Sequence, residues 1–190
     1  MYTVYDNIKE NIPGDMPTPM GKVVMISIFV DANLYFDLIT GRACTGILTM
    51  LNQTPIEWYS KKQATVATAT FGSEFVAARI ATEQAEDLRY TIRMLGIPLA
   101  YSTYMFGDNS SVVTQATIAH SALTKRHNAL AYHKVREAVA QGWLQFHYIP
   151  GSTNLADVLT KFMRYLDWYP LLRPVLFWKG DTAEIPTNGV

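Results

Sequence analysis

The 190-residue chain holds one cysteine, Cys44, set inside an apolar stretch, ACTGILTML (43–51). One thiol cannot close an internal disulfide, and nothing near it completes a metal-ligand set. Cys44 is therefore read as a buried, reduced thiol, as in an intracellular protein. Charge of one sign is lacking too: 16 Lys and Arg balance 16 Asp and Glu, for a formal net charge of zero. That argues against a free-standing, high-affinity nucleic-acid binder, whose surface would be basic. It leaves room for a nuclease that borrows affinity from a neighbouring domain. No uninterrupted apolar run reaches the roughly 20 residues of a membrane span. The opening MYTVYDNIKENIPGDMPTPMG lacks the basic-then-apolar order of a signal peptide. Internal repeats and low-complexity tracts are absent. With 49% apolar and 17% charged residues, the composition supports a real core and argues against global disorder.

Hydropathy patterning divides what is present. Residues 1–22 carry three prolines and two glycines and read as an irregular lead-in. Strand-like runs follow at 23–30 (VVMISIFV), 43–51 and 55–60 (PIEWYS), the last two joined by the short polar link NQT. The first three strands are thus expected to be sequential and antiparallel. Trp58 and Tyr59 alternate across the third, one in the core and the other half exposed. From 70 to 95 the period changes. Ala78, Ala81, Ala85, Leu88, Ile92 and Leu95 recur at steps of three and four, which is one face of a helix, and Gly96 and Pro98 end it. A fourth strand at 100–106, a short helix within GDNSSVVTQAT, a helix at 124–142 and a fifth strand at 143–149 come next. A last helix starts near Asn154. The expected fold class is α/β, a five-stranded mixed sheet flanked by helices, with an apolar tail at 164–190 able to dock.

Four carboxylates fall at meaningful places in this plan. In ISIFVDANLYFD (26–37), Asp31 ends the first strand, and Asp37 is read as loop. Glu74 lies four residues before Ala78 on the helical stripe, so it should face the sheet. Asp108 follows the fourth strand directly, and Asp157 sits in NLADVL at the start of the last helix. Each alone has an ordinary explanation: loop solvation for Asp31, helix-dipole stabilisation for Glu74, an N-cap for Asp108, a first-turn acid capped by Asn154 for Asp157. Together they carry more. If strands one and four are parallel neighbours, Asp31 and Asp108 lie side by side at one sheet edge, and the two helix starts can point there. Four like charges converge only with countercharge, and hard oxygen ligands favour Mg²⁺ or Mn²⁺.

The order Asp, Glu, Asp, Asp resembles ribonuclease H. The wording is closer still to the ribonuclease H domain of copia-type retrotransposon polyproteins, which follows reverse transcriptase. The carrying residues are FVDA (29–32), TGILTMLNQTPIEWYSKKQATV (45–66), TFGSEFVAA (70–78), FGDNSSVV (106–113), TKRHNALAYHKVREAV (124–139) and NLADVLTK (154–161). The resemblance covers about 23–163, which sets the domain limits: a lead-in at 1–22 towards reverse transcriptase, the domain at 23–163, a tail at 164–190. It implies endonuclease cleavage of the RNA strand of RNA/DNA hybrids during reverse transcription, by a two-metal mechanism. Two Mg²⁺ ions, or Mn²⁺ in their place, would be held by Asp31, Glu74, Asp108 and Asp157. One ion activates water and the other stabilises the leaving 3′ oxygen. The implied partners are the hybrid and the reverse transcriptase domain of the same polyprotein, with no membrane. The implied location is a cytoplasmic retrotransposon particle, or the nucleus. Candidate substrate contacts are Lys61, Lys62, Thr70, Asn109, Lys125 and Arg126. The chain departs from many relatives at Asn33 and Gly72, where they carry further acids. Its loop PGSTN (150–154) lacks the histidine that many cellular enzymes use for product release, which implies slower turnover. A remnant that folds without cleaving, or a structural extension of reverse transcriptase, is the alternative.

Overall fold

The computed structural model describes residue 5 and residues 8–67, 69–118 and 129–176. Within them the strands are β1 (Ile26–Asp37), β2 (Arg42–Leu51), β3 (Thr54–Lys62), β4 (Thr103–Gly107) and β5 (Leu144–Tyr148). The helices are α1 (Thr70–Met94), α2 (Ser110–Thr117), α3 (Ala129–Ala140) and α4 (Tyr165–Leu176), with 3-10 turns at Gly151–Thr153 and Leu155–Leu159. The strands form one sheet in the order β3-β2-β1-β4-β5. β1 to β3 pair antiparallel, and β1, β4 and β5 pair parallel, as the hairpin link and the helical crossovers require.

The core lies between the sheet and α1. Ile26, Ile28, Val30 and Ala32 alternate along β1 and are buried; so are Ala77, Ala78, Ala81 and Ala85 on α1. Small side chains on that helical stripe let α1 lie close to the sheet, while Phe75 and Ile92 close the ends of the interface. A second ring row crosses the sheet, where Phe29 stacks on Phe106 at 5.2 Å. His147 packs against Tyr104 and Phe106, each at 5.9 Å between ring centroids, so this histidine serves packing. On β3, Tyr59 packs against the core and Trp58 is 70% exposed.

The structure corrects several sequence expectations. The first strand does not end at Asp31. β2 is long enough to pair beyond it, through Asp31↔Gly46, Ala32↔Thr45 and Asn33↔Cys44, and β1 runs on to Asp37. Asp37 closes the strand and is not loop. Its carboxylate accepts from Ile39 N and Thr40 Oγ1 and pairs with Lys62 Nζ at 2.9 Å. Lys62, then Thr40, hold this half-buried carboxyl below the usual range. The fourth strand starts at Thr103, because Tyr101 O is taken by Arg89 Nη2 at 2.6 Å and Ala100 N by Val24 O at 2.8 Å. The α-helix expected near Asn154 is a pair of 3-10 turns. Asn154 is fully buried; its Nδ2 donates to Val30 O at 3.0 Å while its Oδ1 caps Ala156 N at 3.1 Å, so the segment is tied to β1 at its first residue. The described part of the tail, α4, contains Pro170 and Pro174 and buries none of its residues.

The lead-in has no helix or strand across residues 8–22, yet it is anchored. Glu10 accepts from Arg89 Nε at 2.7 Å and Nη2 at 3.0 Å, and from Arg93 Nη1 at 2.6 Å and Nη2 at 2.8 Å. Arg89 is 1% exposed and also donates to Thr103 Oγ1 at 2.9 Å. The segment is thereby clamped to the outer end of α1.

Candidate metal centre at the sheet edge

The parallel pairing of β1 with β4 ends at Val30↔Gly107. The residue after each of these is an acid, Asp31 within β1 and Asp108 just beyond β4, so the two carboxylates share one level just past that pairing. β1 continues on the support of β2 alone while β4 gives way to α2. That opens the sheet at this point, which is where α/β folds place their sites. Glu74 enters from the first turns of α1. Asp31, Glu74 and Asp108 each offer one oxygen, and the three oxygens lie within 4.8 Å of one another. Among the described residues this is the one such group of three or more His, Cys, Asp or Glu.

Electrostatics match that crowding. Burial, then the charges of Asp31 and Asp108, push the Glu74 carboxyl well above its ordinary range. Burial and Asp31 raise Asp108 as well. Glu74 and Asp108 thus resist ionising beside Asp31, and the Lys161 ammonium offsets that crowding only in part. The donor set is all hard oxygen, the chemistry of a Mg²⁺ or Mn²⁺ site, and the residues fit such an ion.

Asp157 arrives from the 3-10 turn at Leu155–Leu159 but stands outside the three-acid group. It is buried, and its Oδ1 pairs with Lys161 Nζ at 2.7 Å. The same ammonium lies 3.6 Å from Asp31 Oδ1. Burial raises the Asp157 carboxyl, partly offset by Lys161. Burial opposes the Lys161 ammonium, but Asp157, Asp31 and Asp108 outweigh it and raise its pKa. Thr160 Oγ1 donates a hydrogen bond to Asp31 Oδ2.

Two glycines let the backbone come this close. A Cβ on Gly46, the cross-strand partner of Asp31, would meet Thr160 Cγ2 at 2.6 Å and Ala156 O at 2.9 Å. A Cβ on Gly151 would meet Asp108 Oδ2 at 3.0 Å. The turns bearing Asp157 and Lys161 can therefore press on the sheet only where side chains are missing.

The candidate residues divide accordingly. Thr70 and Asn109 line an open pocket with Asp31, Glu74, Asp108 and Lys161. Asn109 also caps α2 through Val112 N at 3.3 Å, so the cap expected of Asp108 belongs to its neighbour and Asp108 is left for the pocket. Lys61 and Lys62 are not brought to the pocket: β3 is the edge strand, two places from β1, and Lys62 is paired with Asp37. Lys125 and Arg126 lie outside the described residues. Sequence reasoning gave no role to Lys161, Thr160 or Gly46. For Lys161 the signal was present as its spacing of four from Asp157. Asn33 donates from Nδ2 to Thr160 O at 3.0 Å and helps hold that segment.

No family model matches the chain. Over 143 residues it is 27% identical to the retrovirus-related Pol polyprotein from transposon RE2 of Arabidopsis thaliana, covering 74% of the chain. Over 133 residues it is 29% identical to the polyprotein from transposon TNT 1-94 of Nicotiana tabacum, covering 70% of the chain. It spans 10% of each, so about a tenth of the length of the curated relatives it matches. Among solved structures, the N-terminal ribonuclease H domain of rv2228c from Mycobacterium tuberculosis superposes with a TM-score of 0.56 at 15% identity, covering 72% of this chain and 91% of that one. Ribonuclease H1 from Halobacterium salinarum superposes with a TM-score of 0.53 at 16% identity, covering 72% and 94%. LC11 ribonuclease H1, solved in complex with RNA/DNA hybrid, gives 0.53 at 16% identity, covering 71% and 93%. The fold is ribonuclease-H-like, and the sequence homologues are copia-like Pol polyproteins of plant transposons.

Proposed function

We propose that this ribonuclease-H-like homologue of retrotransposon Pol polyproteins is an endonuclease that hydrolyses the RNA strand of RNA/DNA hybrids and depends on a divalent cation. The observation that carries the reading is the convergence of Asp31, Glu74 and Asp108 within 4.8 Å at an open pocket. These three, with Asp157, would hold the cations. Divalent ions bound there supply charge neutralisation at the phosphate and activation of water at neutral pH.

The chain's own side chains do the rest. Thr160 and Asn154 fix the strand that bears Asp31, one by a hydrogen bond to its carboxylate and the other through Val30 O. Such fixed placement matters because a preorganised charged group contributes most when it need not move during the reaction. Thr70 and Asn109 place neutral polar side chains on the pocket wall, suited to backbone contacts that position a duplex without reading its sequence. Discrimination of RNA from DNA must reach the 2′-hydroxyl, the group that differs along the backbone.

Affinity comes from elsewhere on this reading. A net charge of zero neutralises few phosphates, so binding by this chain alone should be weak and its salt dependence shallow. A reverse transcriptase domain joined to it would hold the same hybrid and raise its effective concentration at the pocket. The working place would be a cytoplasmic retrotransposon particle, where reverse transcription proceeds.

The test is cleavage of a labelled hybrid and of duplex DNA of the same sequence, with Mg²⁺ or with chelator. The RNA strand is expected to be cut to 5′-phosphate and 3′-hydroxyl ends in Mg²⁺ only, and duplex DNA to survive. Fusion to the upstream polymerase domain should raise the rate several-fold. A hybrid left intact by a protein that binds the cation would make this copy a non-cleaving remnant.

A further inference from the structure

The metal-site reading leaves one group unexplained: a lysine ammonium seated among the acids. Lys161 Nζ lies 2.7 Å from Asp157 Oδ1 and 3.6 Å from Asp31 Oδ1, so it bridges two of the four carboxylates. It also lines the pocket that Asp31, Glu74 and Asp108 line, and Asp157 does not line it. The three acids already share a compact group of oxygens, and Asp157 is the member left out. A second cation that used Asp157 would therefore meet the ammonium, which holds Asp157 and Asp31 together.

Resting on the proposed function, we infer that Lys161 is a tethered counter-ion that governs loading of the second cation. In metal-free protein it neutralises the Asp31–Asp157 pair. Asp31, Glu74 and Asp108, which among the described residues make no other ion pair than that of Lys161 with Asp31, would hold a first divalent ion. A second ion using Asp157 must displace the ammonium, because like charges at contact distance on shared oxygens repel strongly in a partly buried site. Lys161 is thus a positioning residue: it acts on the metal through Asp157 and sets the weaker of two cation affinities.

The geometry makes this reachable by one side chain. Lys161 follows Asp157 by four residues, and Thr160, between them, anchors the turn to Asp31. The Lys161 side chain is 38% exposed, so its ammonium can swing to solvent without unpacking the core. Lys62, paired with Asp37 at the sheet edge away from the pocket, is a matched control: a lysine–aspartate pair with no part in the site.

The experiment is calorimetric titration of Mn²⁺ into the full chain without nucleic acid, at fixed ionic strength. Wild type is compared with Lys161→Met, Lys161→Gln, Lys161→Arg and Lys62→Met. The weaker Mn²⁺ step should tighten at least about tenfold in the Met and Gln variants, or become measurable in them for the first time. Lys161→Arg, which keeps the charge, and Lys62→Met should bind as wild type does. Melting curves give a second readout: the Met and Gln variants should melt below wild type without metal, and the gap should close at saturating Mn²⁺. An unchanged or weakened second step, or a gap that persists in Mn²⁺, overturns the inference and leaves the metal centre standing. If wild type binds no Mn²⁺ at all, the metal centre itself fails, and Lys161 with it.

Discussion

Asp108→Asn and Asp31→Asn should each lower the rate of hybrid cleavage by at least about 100-fold, the scale of losing one preorganised charged group at a reacting phosphate. Asparagine keeps the shape and removes the charge, so the loss reports on the electrostatics of the pocket and not on packing. Both acids lie just past the last β1–β4 pair and contribute to the group of oxygens within 4.8 Å. Asp37→Asn is the control from the same strand. It loses the ion pair with Lys62 and the oxygen that accepts from Thr40 Oγ1, while its Oδ1 still accepts from Ile39 N; all of this is away from the pocket, and its cleavage rate should stay within about twofold of wild type. Rates measured at saturating Mg²⁺ on one labelled hybrid decide the matter. A crippled Asp37→Asn beside an active Asp31→Asn would move the site to the far end of β1.

The largest effect on stability should come from a residue far from that chemistry. Glu10→Gln removes the charge that faces both Arg89 and Arg93 and leaves the buried Arg89 guanidinium with neutral partners alone: one amide oxygen, Thr103 Oγ1, backbone carbonyls and the Trp143 ring. Breaking one side of a buried pair costs about 3 kcal/mol, or roughly 6–12 °C in melting temperature for a chain of this size. The sign with pH follows from the shift. Burial works against the Glu10 carboxylate, but Arg89 and Arg93 outweigh it and lower its pKa. Its contribution is therefore complete above the unfolded value, near 4.5, and fades as pH falls through the folded one. Wild type and Glu10→Gln should differ most at neutral pH and converge in acid. A drop under about 2 °C at pH 7 would show that the clamp contributes little.

How much of this could be read from the sequence depends on the range of the forces involved. The period of α1 was legible because one apolar stripe over 25 residues repeats the same burial many times, and Glu74 is found by extending that stripe backwards. The antiparallel run of the first three strands followed from their short connections, whereas the parallel pairing of β1 with β4, which sets Asp31 beside Asp108, entered the sequence reading only as a condition and is supplied by the structure. The true length of β1 did not, because residues 32–37 are held by pairing with β2, a contact that local propensity does not carry. The turn at Asp157 was misread for the same reason. Asn154 spends its amide on Val30, 124 positions away, and that tie, not helix propensity, sets the local backbone. Glu10 in a proline-rich lead-in gave no sign that two arginines 79 and 83 positions on would seize it. Lys161 was visible at the right spacing, but its meaning depends on Asp31 reaching the same ammonium from another element.

The claim on which everything else stands is that the sheet-edge acids bind divalent cations. Its most direct test is the melting temperature of wild type and Asp31→Asn as Mn²⁺ is added, a measurement that contaminating nuclease cannot imitate. Because the unfolded chain has no such site, a cation at about 100 times its dissociation constant stabilises the fold by about 2.7 kcal/mol. That corresponds to roughly 5–11 °C for wild type and much less for Asp31→Asn. Equal shifts in the two proteins, or none in either, would contradict the account.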